Sequence, residues 1–296
     1  MQHNQKTKAI IFVNLSVLLF GLVGVFARSI TLSALEMTFW RVLFSSISLA
    51  AFMLITRQNF SVHSKKDALI IAGAGAVLAI HWWSFLGTIQ MAGVAIGTIT
   101  FSSFPLFVTF LEPLVFHTKL RLKNIIIALI ILFGVSITVP ELSLENKYSL
   151  GILTGMFSTF LYAVMAILNK FLSQRYSSTL TAFYEQATAA FVLLPLVFSE
   201  WLEPARQAAI LPPGNNLVYL LMLGIITTAL AHTLFISSLK YISAQLAGVL
   251  SSMETVYGIV MAVIFLGEIP STREIAGAVI IIGTILYTQL HQQEQK

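Results

Sequence analysis

No cysteine occurs in the 296 residues, so disulfides, thiolate-bound metal and thiol chemistry are excluded. Charge is scarce as well. Asp, Glu, Lys and Arg together make up 10% of the chain, and Asp67 is the single aspartate. A soluble domain cannot cover its surface with so little charge. Three signatures of chemistry are missing too: there is no Gly-x-x-x-x-Gly-Lys nucleotide loop, no His-Glu-x-x-His metal motif and no Gly-x-Ser-x-Gly nucleophile turn. Those absences argue against an ATP-driven pump and against a membrane-embedded enzyme, which stays as the rival from another class.

Apolar residues are what the chain has in abundance: 57% of the sequence, with a mean hydropathy of +0.88. Runs long enough to cross a bilayer, about 17–25 residues each, fall near 8–28, 33–56, 67–90, 93–116, 124–140, 149–170, 178–199, 214–239, 242–266 and 274–290. The sequence therefore predicts an all-α membrane protein with ten transmembrane helices. Its first run is longer than a signal-peptide core and lacks a small-x-small cleavage site, so it counts as the first span. Tight turns are expected at Gln90–Gly93 and Lys240–Ser243, and a long surface connection with several prolines at Glu200–Asn216.

The net charge of +5 sits in short loops, which suits membrane orientation better than nucleic acid. Lys6, Lys8, Arg57, Lys65, Lys66, Lys119, Arg121, Lys123, Lys170, Arg175, Lys240 and Lys296 fall on one side, against Arg28, Lys147, Arg206 and Arg273 on the other. Both termini are accordingly expected in the cytoplasm of a cell whose inner (plasma) membrane holds the chain.

The stretch from His81 to Gly134 returns as His232 to Gly283, with Gly97 answering Gly248. Residues 8–140 and 149–290 thus read as two five-helix repeats. An odd number of spans per repeat inverts the second against the first, the architecture of alternating-access carriers.

Ionisable residues inside spans cost about 2.5–3.5 kcal/mol each on insertion scales and are functional candidates by default. Glu254 leads, sharing a stripe with Ser251 and Tyr257 in the ninth span. Arg41 in the second span cannot shed its charge and needs an anionic partner from another helix, such as Glu185 in the seventh, because Glu36 on its own helix is poorly aligned. In the fourth span Ser102, Pro105, Thr109 and Glu112 form a further stripe, Pro105 being placed to bend the helix, while Glu112 near the helix end also suits a plain paired or solvated carboxylate. His81, with Trp82 and Trp83 beside it, and its repeat partner His232 complete the set; a lone histidine on a helix is as readily an interhelical hydrogen bonder. A metal carrier using His81, His232, Glu112 and Glu254 lacks close ligand spacing, and no metal or cofactor is expected.

The order of "FGLVGVFARSI", "FWRVLFSSISLA", "HWWSFLGTIQMAGVAIGTI", "PLFVTFLEPLVF" and "SSMETVYGIVMAVIFLGEIPSTREIAGAVIIIGTIL" resembles the EamA-like branch of the drug/metabolite transporter (DMT) superfamily over residues 8–288. Glu254-Thr255 stands where that family often has Glu-Pro. The resemblance implies a helical basket around a central cavity, made by the first four helices of each half, with the fifth and tenth outside. It also implies a secondary carrier of small metabolites, commonly moving them outward.

Arg41, Glu185 and Glu254 among aromatic walls would suit an amino acid or related zwitterion, with Trp82, His81, Ser102, His232, Ser251 and Tyr257 as further contacts. A desolvated Glu254 could exchange a proton for substrate. The expected partners are thus a small-molecule substrate, the lipid bilayer and protons. A multidrug or organic-cation efflux carrier is the alternative, and a homodimer stays open.

Overall fold

The computed structural model describes residues 2–138, 146–202, 212 and 214–293. Most of the connection expected over Glu200–Asn216, with Pro204, Arg206 and Pro213, lies outside those residues, as do Lys296 and the end of the first repeat at 139–140.

The helices are α1 (Gln2–Gly21), α2 (Val23–Ser29), α3 (Ala34–Ile55), α4 (Lys65–Phe101), α5 (Phe104–Phe116), α6 (Leu122–Ile137), α7 (Lys147–Leu172), α8 (Ser178–Trp201), α9 (Gly214–Gly224), α10 (Ala231–Leu239), α11 (Ala244–Ser251), α12 (Glu254–Leu266) and α13 (Thr272–Gln293). A π-helical turn, Ile225–Leu230, joins α9 to α10. Among the described residues these pieces form ten spans. Seven runs are long and apolar enough to cross a bilayer unaided. The run Lys65–Phe101 breaks at Gly93, whose φ of +88° only glycine adopts freely, so it holds the third span and the start of the fourth. That fourth span ends in α5, the fifth is α6 and the tenth α13.

Starts of several spans are written in side chains. Ser33, Ser64, Ser177 and Ser243 each accept the backbone N–H three residues on, and Ser271 with Glu274 forms a reciprocal capping box. At the rim of the bundle such caps replace the water that helix starts otherwise need.

Besides the turn at Leu22 between α1 and α2 and the π-helical turn of the eighth span, two spans break at serines. The fourth breaks at Ser102–Ser103 and the ninth at Ser252–Met253, and the two breaks cross. Ser102 Oγ and Thr255 Oγ1 are hydrogen-bonded there, while Thr255 Oγ1 also donates to Thr98 O at 2.8 Å and Ser252 Oγ to Ser102 O at 3.4 Å. The expected stripe of Ser251, Glu254 and Tyr257 on one unbroken helix is corrected accordingly: Ser251 ends α11 and Glu254 begins α12. Pro105 likewise sits in the first turn of α5, where a missing N–H is harmless, instead of bending a continuous span.

Contacts between elements follow a pseudo-twofold pattern. α3 packs on α8, α5 on α11 and α6 on α13, while α1 with α10 mirrors α7 with α4. The α6–α13 pair meets through glycines: a Cβ on Gly277 would lie 2.6 Å from Gly134 O, so no larger residue fits there. Two carboxylates tie the halves together at opposite rims. Glu112 of α5 accepts from the first N–H groups of α11, Ala244 N at 3.1 Å and Gln245 N at 2.9 Å. Glu268, just past α12, reaches Val94 N at 3.4 Å, where the fourth span starts, and pairs with Arg28 Nε at 2.8 Å. Removing the Glu112 cap by Glu112→Ala is expected to destabilise the protein by about 1–2 kcal/mol, the usual worth of a helix cap. Thermal unfolding in detergent checks this, and an unchanged midpoint would refute the capping role.

Candidate functional site

Charges that cannot reach water must find each other or a wet cavity. Arg41 on α3 is 1% exposed and Glu254, the first residue of α12, is 3% exposed, and both line one narrow pocket. Glu254 stands at the start of a helix, where the dipole favours negative charge. His81, Trp82, Phe85 and Phe101 of α4 and Tyr162 of α7 wall the same space, and Phe20 and Val23 close it. Its free volume, about 20 Å³, has room for little more than one water, so the pocket must widen to admit a small molecule.

Arg41 is held on two sides. Its Nε donates to Thr228 Oγ1 at 3.0 Å, and its guanidinium lies 4.0 Å above the Trp82 ring. Nη1 has no hydrogen-bond partner in the protein. A buried, fully charged donor left unpaired beside a cavity costs about 1–3 kcal/mol or more, a cost that a bound anionic group would remove. The Tyr162 hydroxyl is also buried and unpartnered, and its ring packs on His81, Phe101 and Phe104 at 4.9–5.0 Å.

The other expected residues fall into three groups. His81 lines the cavity, yet its Nδ1 is taken by Ser158, with O at 2.9 Å and Oγ at 2.8 Å, so the ring bridges the third and sixth spans. Glu185 and His232 do not line the cavity. They pair with each other, Oε2 to Nε2 at 2.7 Å, both side chains fully buried. Ser102, Ser251 and Tyr257 belong to the crossing of the broken spans: Ser102 bonds Thr255, Ser251 is buried with no partner for its Oγ, and Tyr257 packs against Gly21. Glu36 accepts from Trp201 Nε1 at 2.8 Å and stays at the rim. Among the described residues no three His, Asp or Glu side chains are grouped so as to hold a metal ion.

Sequence reasoning passed over Thr228, Tyr162 and Asn169. Ser158, Tyr162 and Asn169 lie four and seven residues apart on α7, a polar stripe that the helical period exposes. Thr228 gave no such signal, because its position depends on the π-helical turn, which bonds Thr228 Oγ1 to Leu223 O at 2.7 Å.

The sequence matches the profile of the EamA-like transporter family at residues 7–139 and 149–289, and the chain belongs to that family. Similar proteins are named as transporters. An "Uncharacterized transporter YxxF" of Bacillus subtilis is 23% identical, over 98% of this chain and 92% of its own. An S-adenosylmethionine uptake transporter of Rickettsia conorii is 24% identical, over 86% of this chain and 83% of its own. The pseudopaline exporter CntI of Pseudomonas aeruginosa is also 24% identical, over 86% and 85%. A solved structure described only as "Crystal structure of protein" superposes with a TM-score of 0.75 at 18% identity, covering 98% of this chain and 99% of that one, which establishes the fold. The protein is a multi-pass membrane transporter of the DMT superfamily, and family and relatives alike point to transport in place of catalysis.

Proposed function

We propose that the chain is a gradient-driven carrier of amino acids or related zwitterions, working by alternating access and moving its substrate outward through the plasma membrane. The observation that carries this reading is the placement of Arg41 and Glu254 on one aromatic cavity. Arg41 offers an unpartnered Nη1 to a carboxylate. Glu254 offers its carboxylate to an ammonium, and Trp82, Phe85 and Phe101 offer apolar surface to a side chain. The two halves rock about this midplane site, the broken fourth and ninth spans supplying the places that yield. Both termini face the cytoplasm, as the distribution of Lys and Arg supports. A proton gradient drives the cycle.

Radiolabelled amino-acid flux in proteoliposomes tests the reading. Glu254→Gln should lower uptake of a zwitterion at least about tenfold, the worth of one charge-assisted hydrogen bond. Flux in Glu254→Gln equal to wild type would remove Glu254 from the site. If the wild type moves no amino acid but carries organic cations, the aromatic walls and Glu254 serve a cation instead.

A further inference from the structure

The second buried polar group lies behind Trp82. Glu185 Oε2 meets His232 Nε2 at 2.7 Å and takes Asn169 Nδ2 at 3.4 Å. Glu185 Oε1, His232 Nδ1, Asn169 Oδ1 and both side-chain polar atoms of the adjacent Gln186 have no partner, though all four residues are fully buried. Such a cluster is poorly made for stability. It is well made for holding a proton, because a carboxylate oxygen and an imidazole nitrogen 2.7 Å apart offer one proton two lone pairs to lie between.

With Glu254 committed to the substrate's ammonium, the coupled proton needs a place of its own. We propose that the Glu185–His232 pair is the proton-binding site of the carrier, separate from the substrate cavity, and that Trp82 and Thr228 convey its charge to Arg41. The proposal rests on the carrier reading. One proton from solution adds to the pair, taking carboxylate plus neutral imidazole from a net charge of −1 to zero. The same proton leaves to the opposite side when the site is turned over.

The link to Arg41 is physical. The Trp82 ring that bears the guanidinium on its face at 4.0 Å makes a T-shaped contact with the His232 ring at 5.8 Å. Thr228, which holds Arg41 Nε, lies four residues before His232, inside the π-helical turn. A shift of that turn moves both partners together.

Other charges around the pair are accounted for. Arg41 faces it from α3 and His81, bonded to Ser158, from α4, whose Asp67 is paired at the rim with Arg175. Tyr162 faces it from α7, between Glu185 and the Glu254 of α12, while Lys170 of α7 is bound to Leu239 O and Ile242 O and turned to Glu112. On α1, Lys6 and Lys8 are exposed at its start, and α11 carries no titratable residue. Arg41 with Glu254 and Lys170 with Glu112 offset one another, so the unprotonated pair leaves one uncompensated negative charge that a proton removes.

Infrared difference spectra of the full-length protein in nanodiscs, recorded between about pH 5 and about pH 9 so as to bracket the value of an unperturbed imidazole, read the proton without needing substrate. A titrating protonated-carboxyl band should appear in wild type, vanish in Glu185→Gln, shift its midpoint in His232→Gln and persist in Glu254→Gln. In proteoliposomes Glu185→Gln should lower pH-gradient-driven accumulation at least tenfold. A band unaffected by Glu185→Gln but lost in Glu254→Gln overturns the proposal, as does accumulation driven by sodium and indifferent to pH. Size-exclusion profiles establish that each variant is folded, and His232→Gln stands in if Glu185→Gln is not. If no substrate moves at all, the carrier reading fails while the infrared titration still decides whether the pair holds the proton.

Discussion

Arg41→Ala should abolish measurable zwitterion transport and also lower stability, by roughly 3–5 kcal/mol, because it leaves buried Glu254 without its positive counterpart. Arg41 is fully buried, bonded to Thr228 at 3.0 Å and stacked on Trp82. Its loss removes the one permanently charged donor that the described lining residues offer a carboxylate, worth about 1.5–3 kcal/mol or roughly 10- to 150-fold in affinity. Arg41→Lys separates the two effects. Lysine keeps the charge, so much of the stability returns, but a compact ammonium cannot present the planar fork or stack on Trp82 in the same way. Affinity measured by isothermal titration should therefore stay low in Arg41→Lys while the unfolding midpoint recovers. Equal affinity in Arg41→Lys and wild type would show that charge alone is recognised.

Gly155→Leu should prevent folding. α4 and α7 approach each other closely here, and a Cβ on Gly155 would collide with the Thr100 side chain and lie 3.1 Å from Thr88 Cγ2. Thr100 cannot swing away freely, since its Oγ1 bonds Ile96 O and Gly97 O at 2.9 Å and its carbonyl receives Thr159 Oγ1 at 3.3 Å. Overpacking of this kind costs about 1–3 kcal/mol for small additions and more for a leucine. Gly155→Ala should lower the unfolding midpoint measurably, and Thr100→Ala placed in the same chain should recover part of the loss, since neighbouring sites do not add. Independent, additive effects of Gly155→Ala and Thr100→Ala would mean that the helices part instead of clashing.

What could be read in advance follows from the cost of each feature. Spans were legible because lipid demands about twenty apolar residues in a row, and the N-caps because only a few side chains can satisfy a helix start. Arg41 and Glu254 were legible for the same reason: buried charge is expensive, so its presence is informative. Pro105 marked the fourth span as interrupted, but the break at Ser252–Met253 was not legible, because no glycine or proline stands there; the crossing of two spans makes it, and Ser102 and Thr255 find each other only there. Pairing of Glu185 with His232, in preference to Arg41, needed the relative rotation of three helices. A neutral polar residue such as Thr228 is cheap to bury on a helix and gave too little signal to single out, whereas Asn169 stood on the readable stripe of α7.

The two reciprocal carboxylates bear on leakage. Glu112 and Glu268 each belong to one half and bind the start of the fourth span of the other half, at opposite rims. Parting the halves at one rim loses one of these attachments, at about 1 kcal/mol, whereas parting them at both rims loses two. On the proposed alternating-access reading, a through-pore is thereby disfavoured relative to either one-sided opening, which keeps the membrane's ion gradients from being short-circuited.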